Sequence, residues 1–133
     1  MSSSDKSTLL RTFNLHFFEL LDDLIRILPE NVEVLTARKT FGTIKQANPT
    51  AIIKVWYTQI YLPYSDTIDA GDLSFFYDKN YHSDIGHLAS ADKIMSVIDS
   101  IRDPIRNMSD VNKEHTKKYL QNLSKLSTFW TKL

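Results

Sequence analysis

Residues 51–62 read Ala51-Ile52-Ile53-Lys54-Val55-Trp56-Tyr57-Thr58-Gln59-Ile60-Tyr61-Leu62, and the fold class turns on them. Their β-branched and aromatic content favours a strand. Their polar positions favour a helix: Thr50, Lys54 and Thr58 stand four apart, which leaves one thin solvent stripe along a buried helix. The stretch also follows Asn48-Pro49, an N-cap residue and a first-turn proline. As a strand it would need partners, and only Val32–Leu35 and Leu73–Tyr77 qualify. The expectation is a largely buried helix ended by Pro63. A small hairpin of 32–35 with 73–77 is the competing arrangement.

Upstream, residues 1–6 are polar and read as a flexible tail, with Ser7 or Thr8 as the cap of a first helix. Leu10, Phe13, Phe17, Leu20, Leu21, Leu24, Ile27 and Leu28 recur at helical spacing, leaving Arg11, Asn14, Glu19, Asp22, Asp23 and Arg26 for solvent. Pro29 ends this helix. A weaker helix follows from Asn31 to Ala47, with Leu35, Ala37, Phe41 and Ile44 inward.

Downstream, Gly71 suits a helix C′ position and Asp72 a cap for residues 73–77. Residues 84–88 read as another short helical piece. Ser90 caps a long helix through Met108, interrupted near Ile101 by Pro104. Ser109 caps a final helix, Asp110 to Lys132. There Tyr119, Leu123, Leu126, Trp130 and Leu133 form a narrow seam suited to antiparallel bundle packing or to a partner helix. The fold expected is all-α: a compact single-domain bundle of six to eight helices over residues 7–133.

With 133 residues, the chain can bury a sufficient core without disulfide or metal. It has no cysteine, which removes thiolate zinc sites, iron–sulfur clusters and cysteine nucleophiles. Three glycines disfavour Rossmann and P-loop folds. No secretory signal or membrane span is expected, so no membrane partner is either.

Sixteen basic and sixteen acidic residues cancel, so no global field recruits nucleic acid. Charge is nonetheless segregated. Six aspartates face one lysine between Tyr64 and Asp92, whereas Arg38, Lys39, Lys45 and Lys54 form a basic patch with no acid between Thr36 and Lys54.

Candidate chemistry is sparse. His82, Asp84 and His87 carry donors suited to zinc or iron, but their spacing matches no metal motif, and a polar turn is the simpler reading. Asp66, Asp69 and Asp72 read as caps and solvated acids in the same way. No serine sits in a nucleophile elbow. No cofactor is expected. Tyr57, Tyr61 and Tyr64 are candidates for an interaction surface, with Tyr119, Leu123, Leu126 and Trp130 of the final seam.

Several pieces also carry a resemblance: Phe17-Phe18-Glu19, Asn48-Pro49-Thr50, Ile53-Lys54-Val55-Trp56, Pro63-Tyr64, Gly71-Asp72, Phe75-Phe76 and Asn122 to Ser127. Together the chain resembles a family of short uncharacterised proteins encoded by large DNA viruses of algae and other protists. The likeness lies in the whole pattern after residue 12 and in no catalytic motif. It implies a viral accessory protein or minor virion component, located in host cytoplasm or the virion.

The function expected is a small intracellular protein-interaction or structural role, with a protein partner or self-association. A nucleic-acid-associated module using the basic patch stands second. A metal-dependent enzyme built on His82, Asp84 and His87 stands third.

Overall fold

The computed structural model describes residues 3–72, 97, 100 and 104–133. Among them the elements are α1 (Ser3–Ile27), α2 (Val32–Ala47), α3 (Ala51–Val55), a π-helical turn (Trp56–Tyr61), α4 (Leu62–Asp69) and α5 (Asp110–Lys132). No strand occurs among the described residues, so the all-α expectation holds there and Val32–Leu35 are helical. The count of six to eight helices drew partly on 73–103, most of which lies outside the described residues. So do the Ser90 cap, the break near Ile101, the 73–77 and 84–88 pieces, and His82, Asp84 and His87.

α1 begins at Ser3, ahead of the Ser7 or Thr8 cap expected. The early start brings the Lys6 ammonium to 4.6 Å above the Trp130 ring, so the first turns of α1 lie beside the last turns of α5. At the other end Tyr119 of α5 meets Asp23 of α1, so the two long helices run antiparallel. The chain leaves α1 at Pro29 and re-enters at Asn31, whose side chain accepts from the Val34 amide at 3.0 Å. On α2, Val34, Ala37 and Phe41 are buried, and Leu35 stands 42% exposed. The inward stripe therefore starts one residue earlier than the sequence suggested.

Phe17 is the hub of the core. Its ring lies 4.8 Å from Phe41 of α2 and 6.2 Å from Trp56, centroid to centroid. Burying an aromatic of this kind contributes about 1.5–3 kcal/mol, and edge-on contacts add to it. Trp56 also reaches α5: its indole Nε1 donates to the buried Ser124 Oγ at 3.0 Å. Ser124 and Ser127 both lie on the buried face of α5, and each hydroxyl returns its proton to a backbone carbonyl of its own helix. Small side chains there let the helices approach closely without an unsatisfied hydroxyl.

The disputed stretch is helical, with a feature the sequence reading missed. Ile52, Trp56, Ile60, Tyr64 and Ile68 recur every fourth residue, and all but the half-buried Tyr64 are buried. In a uniform α-helix, steps of four drift by about 40° each, which would carry Ile68 off the core. The π turn widens the spiral, with the Leu62 amide bonding back to the Tyr57 carbonyl, and corrects the drift.

Pro63 does not end the helix, contrary to expectation. It sits in the first turn of α4, where its missing amide is tolerated, and Tyr64 absorbs the distortion at φ −126°, ψ 24°. The stop comes at Gly71, at φ +78°. Its amide bonds the Ile68 carbonyl and the Asp72 amide bonds the Thr67 carbonyl, a Schellman closure.

Asn48 is not the N-cap expected: it ends α2, its side chain accepts from the Thr50 amide at 3.1 Å within the connecting turn, Pro49 lies in that turn, and α3 begins at Ala51 behind Thr50. Ser109 caps α5 as read, accepting from the Asn112 amide.

Candidate interaction groove

α1 carries a second long face besides its core face. Arg11, Leu15 and Asp22 line one side of an open groove whose other side is α2 and the Asn48-Pro49 turn. One end, about 610 Å³, is lined chiefly by Leu10, Asn14, Leu15 and Pro49, with Arg11 and Lys45 at the edge. The other end, about 510 Å³, is lined by Phe18, Asp22, Arg38 and Gly42 among others. Leu15, Lys45 and Pro49 belong to both, so the two ends are continuous.

Leu15 is 65% exposed, on the face of α1 that also presents Arg11 and Glu19. Phe18 lies beneath two cations, the Arg38 guanidinium at 4.6 Å and the Lys45 ammonium at 5.4 Å from its ring centre. Arg38 Nε donates to Asp22 Oδ1 at 2.9 Å, an exposed pair that contributes at most about 1 kcal/mol but fixes the guanidinium. The Asp22 end is thus balanced. At the Leu10 end the described lining holds two cations and no carboxylate.

Asn14, expected in solvent, is 4% exposed. Its Nδ2 donates to the Pro49 carbonyl at 3.0 Å and pins the turn that closes the groove.

The expected basic patch is only half assembled. Arg38 and Lys45 meet over Phe18, whereas Lys39 is turned about 100° around α2 and Lys54 is exposed on α3.

The expected seam on α5 packs against α1. Leu123 and Trp130 are buried, and Tyr119 and Leu126 pack on the core, so its apolar contacts are made inside the bundle. Tyr57 and Tyr61 lie 6.2 Å apart on the half-buried side of the π turn. Tyr61 donates to Asp69 Oδ2 at 3.1 Å. Burial, then this bond, raises the Tyr61 pKa. Tyr64 is half-buried beside the core.

A second polar cluster joins α1 to α5. The Tyr119 hydroxyl donates to Asp23 Oδ2 at 2.7 Å, and its ring lies 4.6 Å from that of His16. Burial first and Asp23 second push the Tyr119 pKa up to about 12. The phenol is therefore held protonated with its hydrogen committed to Asp23, which suits a structural latch. The adjoining cavity of about 80 Å³ is far below the roughly 300–1,000 Å³ typical of ligand sites.

On α5, the Lys117 ammonium 2.8 Å from Glu114 holds that carboxyl below its ordinary range. Among the described residues no group of three or more His, Cys, Asp or Glu converges to hold a metal. Nor is any of their helices long and apolar enough to cross a membrane.

The groove was missed because the amphipathic count followed the core. Leu15 and Phe18 fall outside the main stripe of α1, and large apolar residues off-stripe are the signal that would have found it. No protein family, curated protein or solved structure matches this chain.

Proposed function

We propose that the chain is a protein-interaction module whose working surface is the α1–α2 groove, and that it takes an acidic, apolar segment of a partner protein. One observation carries this reading: Leu15 stands 65% exposed in a groove whose Leu10 end is edged by Arg11 and Lys45. Over the joined groove three cations, Arg11, Arg38 and Lys45, stand against two carboxylates, Glu19 and Asp22, and apolar surface beside that positive surplus is matched by apolar side chains flanked by Asp or Glu. The sequence resemblance adds a setting, a viral accessory protein or minor virion component acting in host cytoplasm or in the virion.

The test is fluorescence anisotropy with two labelled probes, an acidic leucine-rich peptide and a 20-nucleotide single-stranded DNA. The peptide is expected to bind, and Leu15→Asp to weaken it at least tenfold. DNA binding tighter than peptide binding, and lost with Arg38→Ala and Lys45→Ala, would overturn the reading in favour of a nucleic-acid module.

A further inference from the structure

Gly71 and Gly42 are both helix-associated glycines, and the fold needs only one of them. Gly71 has φ +78°, and a Cβ there would stand 3.2 Å from Lys117 Cδ. Gly42 lies inside α2 with no such demand: an added Cβ would meet only Arg38 Nη1, at an ordinary 3.8 Å. A glycine inside a helix costs about 0.5–1 kcal/mol relative to alanine. Nothing among the described neighbours of Gly42 offsets that cost, yet Gly42 lines the groove between Arg38 and Lys45.

The groove is bounded by two helices and a turn. From Ser7 to Asp22 its α1 side runs for about 22 Å, some four turns. Helical backbone in these walls is already hydrogen-bonded within itself, and the described residues include no strand edge. An extended peptide laid here would bury its own amides and carbonyls without partners. A helix brings its backbone bonds with it, and its side chains can mesh with the α1 and α2 surfaces.

Resting on the reading of the groove given above, we infer that its occupant is an acidic amphipathic helix of a partner protein, lying along α1 and passing closest over Gly42. Gly42 is then a specificity-determining position: it lowers the groove floor where Arg38 and Lys45 flank it, so that a facing helix can approach closely. Arg11 and Lys45 take the partner's acidic flank.

The probe is a labelled 15-residue peptide with Leu and Ala on one helical face, Glu on its flanks and two prolines at its N-terminus, beside an isomer of the same composition with those two prolines moved to its centre. Wild-type protein is expected to bind the helical probe at least tenfold more tightly than the proline-interrupted one. Gly42→Ala is expected to raise the melting temperature yet weaken binding about tenfold, and Gly42→Leu to abolish it. Thr36→Ala, exposed on the far side of α2, changes helix propensity without touching the groove and is expected to leave binding unchanged.

Binding by wild type that Gly42→Ala leaves intact overturns the role of Gly42 while the groove reading stands. Equal binding of both probes overturns the helical occupant. Binding of neither brings down both readings. A dimer by light scattering that Gly42→Ala dissociates assigns the groove to a second copy of this chain and overturns the separate partner.

Discussion

Trp56 and Ser124 are joined across the core by a 3.0 Å hydrogen bond, and neither residue is more than 3% exposed. The bond is the polar tie between the π turn and α5. Ser124→Ala would leave the indole N–H buried without an acceptor, at a cost of about 1–3 kcal/mol. Urea denaturation followed by tryptophan fluorescence measures it. A loss under 0.5 kcal/mol would mean that another acceptor takes over.

The two glycines are expected to behave oppositely as alanines. Gly71→Ala forces a side chain into a left-handed backbone position against Lys117, and should destabilise by about 1–2 kcal/mol. Gly42→Ala should stabilise by about 0.5–1 kcal/mol. Thermal melts of the two variants side by side decide the matter.

Helix ends supply a third comparison. Ser109→Ala removes the acceptor for the Asn112 amide and should cost about 1 kcal/mol. Ser7→Ala should cost less than about 0.5 kcal/mol, because Ser7 lies exposed within α1 and not at its start. Equal losses would restore the cap at Ser7.

Tyr119 makes stability depend on alkaline pH. Its pKa rises from 10.0 to about 12 on folding, so the unfolded chain gives up this proton first. The contribution is therefore fully present below pH 10 and fades as pH climbs towards 12. Tyr119→Phe should flatten that part of the profile and remove one phenolate that appears at 295 nm above pH 10. An unchanged alkaline limb in the variant would assign the effect elsewhere.

Much of the helical framework was legible because its signals are local. Proline at 29, serine at 109 and glycine at 71 act through their own backbone chemistry, and each stands where it was read. What failed was reasoning that needed a second element. Asn14 looks like a solvent residue until the Pro49 carbonyl is placed above it. The α5 seam suited either bundle packing or a partner helix, and only α1 laid against it decides for the bundle. Pro63 looked like a stop because a preceding π turn has no simple residue signature, although the every-fourth spacing from Ile52 to Ile68 was in plain view. The groove was hardest, since it joins the exposed Leu15 and Pro49 to residues that also pack on the core, Leu10 and Phe18.

The π turn has a consequence for how this chain can vary. The turn holds one residue more than an α-helix needs, so deleting the exposed Thr58 would leave Trp56 and Ile60 three apart, with Leu62 bonding Tyr57 across ordinary α spacing. Ile68 would keep its place in the core, and its carbonyl would keep Gln121 Nε2, which donates to it at 3.0 Å. The segment thus has length to spare: a one-codon deletion there is expected to be less damaging than one in the middle of α1 or α5, where no surplus residue absorbs a shift of about 100°.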